Sequence, residues 1–157
     1  SFATFVGRVG AAQFFCTRDG GGPDTSKCLR AQARWRDYQR FSVFVDSMMV
    51  ELEGIYGDLG LSYDDKVSRR EEIFTQALTR FDDEIAPTFE AVTFRGFRET
   101  SLNNATLLSR IRYYHRLPDF ARMLEERGGD LAGLLAELRT TKDTVSDPFD
   151  LLPEGTP

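Results

Sequence analysis

One histidine and two cysteines are all that this 157-residue chain offers among the side chains most used for metal binding and nucleophile activation. Two Cys with one His cannot supply the four ligands of a standard structural zinc site. A catalytic zinc needs three protein ligands, an open position for water, and a carboxylate to take that water's proton. No carboxylate pair in the sequence stands in such a pattern. Serine or cysteine catalysis would need a base, and His115 is the only conventional one. It sits in the turn Tyr114-His115-Arg116-Leu117-Pro118, where a capping or surface role near a helix C-terminus is the simpler reading. Long apolar runs are missing too: none approaches the roughly 18–20 residues of a membrane span. The formal net charge of −5 argues against non-specific nucleic-acid binding. The basic cluster Lys27, Arg30, Arg34, Arg36 and Arg40 then reads as a solvated helix face.

What the chain does have is phenylalanine, 13 of them, which implies bulky helix–helix packing. Phe2, Phe5, Val6, Val9 and Ala12 share one face of a first helix, Phe2 to Phe15. Gly7 and Gly10 weaken that helix intrinsically, which suggests a close neighbouring helix. Cys28, Ala31, Trp35, Tyr38, Phe41, Val45, Met48, Leu52, Ile55 and Leu59 then alternate three and four residues apart without a break. Such a heptad seam predicts one long helix, Ser26–Leu59, capped by Thr25 or Ser26 and ended by Gly60. A second helix, Asp64–Ala86, begins at Ser62 or Asp64 and closes at Pro87. The pair makes a long antiparallel helical hairpin.

Residues 88–102 break the period and read as an ordered loop that packs Phe89, Phe94 and Phe97 onto the bundle. Short helices follow: one to about His115, one opening at Pro118, and one from Leu131 to about Arg139, capped by Asp130 after Gly128-Gly129. The expectation is an all-α domain over residues 1–140 and an extended tail over 141–157, disordered unless it lies along a surface. Cys16 and Cys28 flank a flexible glycine loop. Either a disulfide staples the first helix to the second, or both remain thiols in a reducing compartment.

Asn103 and Asn104 follow a loop. One Asn there caps a helix; the second leaves an amide able to hold a carbonyl or an amine. Tyr113 and Tyr114 read either as core residues with satisfied hydroxyls or as phenols that donate to an oxyanion.

Three landmarks carry a resemblance. Ser1-Phe2-Ala3-Thr4-Phe5-Val6 is similar to the stretch that follows the third zinc ligand, a Glu, in gluzincin aminopeptidases. Leu102-Asn103-Asn104-Ala105 leads into Tyr113-Tyr114-His115-x-Leu117-Pro118-x-Phe120, and Gly128-Gly129-Asp130-Leu131 precedes a final short helix. In this order they resemble the bacterial putative zinc aminopeptidase family, whose members are exported or lipoproteins. The resemblance spans residues 1 to about 140. It implies the C-terminal helical half of a peptidase whose H-E-x-x-H segment lies upstream. Zinc belongs to the full-length family, and this chain alone has neither cofactor nor catalytic residue. Asn103, Asn104 and Tyr114 would face the catalytic cleft and a peptide substrate. The location would be periplasmic or exported, with any membrane anchor in upstream sequence. Gly7-Arg8-Val9-Gly10 departs from the family, which tends to have acidic residues before the Gly. The alternative function is a non-catalytic, peptidase-derived subunit docked on a larger assembly, with Phe149, Leu151 and Leu152 meeting a protein partner.

Overall fold

Capping residues set the helix starts. In this computed structural model, which describes residues 1–141 and 143–153, Thr25 Oγ1 accepts from Cys28 N at the head of the long helix Ser26–Gly57. That helix is α2; α1 before it spans Phe2–Thr17. Ser62 and Asp65 form a reciprocal capping box that opens α3, Tyr63–Arg80. Asp64 and Asp65 in its first turn and Arg80 in its last complement the helix dipole. Beyond Arg80 the helix widens into a π-helical stretch, Phe81–Ile85, and a 3-10 turn, Ala86–Thr88. Pro87 stops it there, having no N–H to donate. Asn103 and Thr106 cap α5, Asn104–Tyr114. Gly128 and Gly129, with φ of 63° and 80°, end α6, Leu117–Glu125. Asp130 Oδ1 then accepts from Gly133 N in α7, Leu131–Thr141. Among the described residues there is no strand, and the fold is all-α.

Helix α2 is the central post. It touches α1, α3, α5 and α6, and two apolar clusters lie along it. One joins Phe41, Phe44, Val45, Met48 and Leu52 to Phe74, Phe81, Phe97 and Leu107. The other joins Phe5 and Val9 of α1 to Leu117, Phe120 and Met123 of α6, with Leu131, Leu134 and Leu152. The disulfide forms between Cys16 and Cys28, tying the end of α1 to the first turn of α2, with Cys28 fully buried.

Four details differ from the expectations. The seam stops early, since Leu59 lies past α2 and is 97% exposed. The long helix also buries Ala33, Asp37, Ser42 and Phe44, because packing on several sides demands more than a two-residue-per-heptad stripe. The segment read as a loop contains a short helix, α4, Arg95–Glu99, with Phe97 buried and Phe94 at φ 46° before it. Gly10 does not serve a close approach: a Cβ there would meet Leu131 at an ordinary 3.8 Å, and one on Gly7 would meet nothing. In the tail, Pro148–Leu151 forms a 3-10 turn; residues 142 and 154–157 of the expected extended segment lie outside the described residues.

Candidate functional site

The first two turns of α1 lie alongside the end of α5, and a cleft of about 310 Å³ opens between them. Ala3, Thr4, Gly7 and Arg8 line one side, Tyr113 and Tyr114 the other, and Tyr38 of α2 the floor. Helical spacing puts Thr4, Gly7 and Arg8 on one face of α1, beside the face that buries Phe5 and Val9. Arg8 donates to Tyr38 Oη at 2.5 Å while its guanidinium carbon lies 4.2 Å from the ring centre. This holds the cation against the cleft floor. Tyr114 packs against Tyr38 (5.5 Å), Phe41 (4.8 Å) and Phe94 (5.8 Å). Burial, and then the neighbouring Tyr38, push the Tyr114 phenol above its ordinary range, with Arg8 opposing. At neutral pH it is therefore a proton-bearing donor. Tyr113 stands half exposed at the rim, at 53%. A protonated phenol, a fixed guanidinium and a threonine hydroxyl beside a side-chain-free glycine suit a ligand rich in carbonyl oxygens.

The structure separates the expected site residues. Tyr114 is in the cleft, but Asn103 and Asn104 are at the other end of α5. Asn103 Oδ1 accepts from Thr106 N at 3.0 Å as the helix cap. Asn104 exchanges hydrogen bonds with Tyr56 Oη, at 2.9 and 3.1 Å, and so ties α5 to the last turn of α2. Phe149 and Leu151 are half-buried and Leu152 is buried, all three against the α1–α6–α7 cluster of their own chain. Arg8, Thr4 and Tyr38 were not singled out as site residues in the sequence. Arg8 gave a signal there, as part of the departure Gly7-Arg8-Val9-Gly10. Tyr38 was assigned to the helical seam, which it also serves.

His115 caps α5 and turns its ring to Asp46, with Nδ1 2.7 Å from Oδ1. Asp46 Oδ2 also accepts from Arg116 N at 2.9 Å and from Ser42 Oγ at 3.4 Å. Ser42 is fully buried, and its oxygen accepts from Leu117 N at 3.0 Å. Serine, aspartate and histidine thus meet, but Ser42 bonds the aspartate and a backbone amide, not the imidazole. A nucleophile needs the base beside it; this arrangement instead pins the α5–α6 turn onto α2. It explains how Arg116 is held at φ 55°.

The residues present do not fit a zinc ion. Among the described residues no three His, Cys, Asp or Glu side chains cluster to hold a metal. His115 and Asp46 bring two donor groups, and the carboxylate is already engaged by Arg116 and Ser42. Among the same residues, no helix is long and apolar enough to cross a membrane.

A family model described as "Putative aminopeptidase" matches residues 1–147. Neither curated proteins nor solved structures give a match. The match runs over the seven α-helices of the described residues, and the chain belongs to that family.

Proposed function

We propose that this member of the aminopeptidase family is the helical, C-terminal portion of a zinc peptidase, and that the α1–α5 cleft holds part of its peptide substrate. The family match carries the peptidase reading. The cleft supports the placement: Tyr114 brings a phenol, protonated at neutral pH like any tyrosine and pushed further up by burial, suited to donate to a developing oxyanion. Arg8, fixed on Tyr38, supplies a cation for a peptide carbonyl or carboxylate. The zinc, with the water it activates, requires ligands these residues do not assemble, so they come from an H-E-x-x-H segment elsewhere in the enzyme. On this reading the 157 residues alone bind and orient but do not hydrolyse. The Cys16–Cys28 disulfide fits an oxidising compartment, periplasmic or exported.

The test compares two proteins. This chain, dialysed against a chelator, is expected to retain no stoichiometric zinc and to cleave no aminoacyl substrate. A longer product carrying H-E-x-x-H is expected to do both, with Tyr114→Phe lowering its kcat by roughly 10²-fold, the usual loss of one oxyanion donor. Zinc near one ion per 157-residue chain after dialysis would overturn the reading. An unchanged kcat in Tyr114→Phe would remove Tyr114 from the site.

A further inference from the structure

A second, larger cavity has no part in that reading. It is a half-open hollow of about 640 Å³, within the usual range of roughly 300–1,000 Å³ for small-molecule sites. Phe120 and Met123 of α6 form its buried base, Leu135 and Leu138 of α7 one wall, and Leu151 of the tail another. Arg139 stands at the edge as the one charged side chain of the lining.

We propose that this cavity binds a free fatty acid, its acyl chain along the apolar lining and its carboxylate on Arg139. The lining decides the body of the ligand. A bound water needs two to four polar partners, and the aromatic and aliphatic walls offer almost none, so an apolar chain displaces solvent favourably. A peptide backbone would lose its hydrogen bonds to water with nothing in return.

The charge pattern decides the head. Arg139, exposed to solvent on α7, makes no ion pair or hydrogen bond with any described residue. Glu137 is taken by Arg127, and Asp119 by Arg116 and Arg122. A guanidinium with no partner among the described residues, beside an apolar cavity, is complementary to a carboxylate.

The tail wall is also built rather than casual. Arg116 donates to the carbonyls of Phe149 (3.3 Å) and Pro153 (3.0 Å), Arg122 donates to that of Pro153 (3.3 Å), and the His115 ring packs edge-on to Phe149 at 5.0 Å. These contacts hold the tail wall against the α5–α6 turn and α6.

Calorimetric titration of this chain with octanoate, decanoate and dodecanoate, each below its micellar concentration, tests the proposal. One saturable site is expected, tightening about two- to fourfold per added methylene, with decylamine several-fold weaker than decanoate. Arg139→Gln should weaken decanoate by roughly two- to fivefold, and Leu138→Trp, which fills the cavity, should abolish the site. The chain-length and head-charge comparisons use the unaltered protein, so they decide even if Leu138→Trp misfolds. Equal affinity for decanoate and decylamine, no dependence on chain length, uptake of many molecules without saturation, or binding only to phosphatidylglycerol vesicles would each overturn it. None of these results bears on the peptide cleft.

Discussion

Asp37 is the sharpest point at which to perturb this protein. Its side chain is fully buried on α2, where a helix facing apolar neighbours would ordinarily exclude a carboxylate. It persists because it organises a loop 53 to 55 residues away. The amides of Glu90, Ala91 and Val92 donate to it at 2.7–3.1 Å, and Arg40 reaches Oδ1 at 3.2 Å. The loop so fixed delivers Phe94, which stacks on Phe41 at 4.2 Å and touches Tyr38 and Tyr114 of the cleft. Asp37→Ala strips the acceptor from three amides. A buried amide without a partner costs about 1–3 kcal/mol, and water reaches Glu90 more readily than its neighbours. The sum is then about 3–4 kcal/mol. Arg40 adds little, since it keeps Thr88 O and Glu90. Asp37→Asn retains the shape but points a donor at donors, for about 2 kcal/mol. At roughly 2–4 °C per kcal/mol for a chain of this size, Asp37→Ala should lower Tm by about 6–16 °C. Urea unfolding gives the energy, and hydrogen exchange at residues 90–92 gives the mechanism: these amides should lose protection before the helices do. A variant within about 0.5 kcal/mol of the parent, with protection at 90–92 unchanged, would refute the argument.

The same corner has a pH signature. Hydrogen bonds from Arg36, then Arg40, hold Glu90 at about 2, against an ordinary 4.5. A depressed carboxylate stabilises the folded state above its ordinary value and loses that contribution as pH falls from about 4.5 towards 2; a Glu90 carboxyl ¹³C titration centred near 4.5 would refute the pairing. Reduction of Cys16–Cys28, 12 residues apart in sequence, should destabilise by about 3 kcal/mol through the released loop entropy. The double variant Cys16→Ala/Cys28→Ala should match the reduced protein in urea, and a loss below about 1 kcal/mol would show that the bridge merely decorates a junction already closed.

Local signals in the sequence were enough for the hairpin, because both its helices announce their starts. Thr25, Ser62, Asn103 and Asp130 each cap the helix they precede, and Gly128-Gly129 break the chain where expected. The polar interior was not legible. Asp37 and Ser42 look like ordinary polar residues of an exposed face, since their partners, the amides of residues 90–92 and 117, are 53 to 75 positions away. Helix α4 escaped for a related reason: at five residues it is too short for a period and owes its existence to Phe97 in the core. The site divided along the same line. Tyr114 sits in the cleft, whereas the resemblance placed Asn103 and Asn104 there as well. A helix of eleven residues carries its two ends about 15 Å apart, and only the structure shows which end faces α1.

Gly7 joins the fold to the cleft in a single position. A glycine inside a helix costs about 0.5–1 kcal/mol relative to alanine, and α1 contains two. Neither is demanded by packing: a Cβ on Gly10 finds an ordinary contact at 3.8 Å, and one on Gly7 finds open space. Both Gly10→Ala and Gly7→Ala should therefore raise stability by about 0.5–1 kcal/mol in urea unfolding. They part company in ligand binding, because the open space beside Gly7 is the cleft between Thr4, Arg8 and Tyr114. Added side chains at position 7 grow into the volume assigned to the peptide, whereas position 10 lies outside the cleft lining. Titrating a free tripeptide such as trialanine while following the Tyr38 and Tyr114 resonances should give equal affinities for the parent and Gly10→Ala. Gly7→Ala should be weaker, and Gly7→Leu should lose binding while remaining folded. If Gly7→Leu is folded and binds the tripeptide like the parent, the α1–α5 cleft is not where the peptide sits.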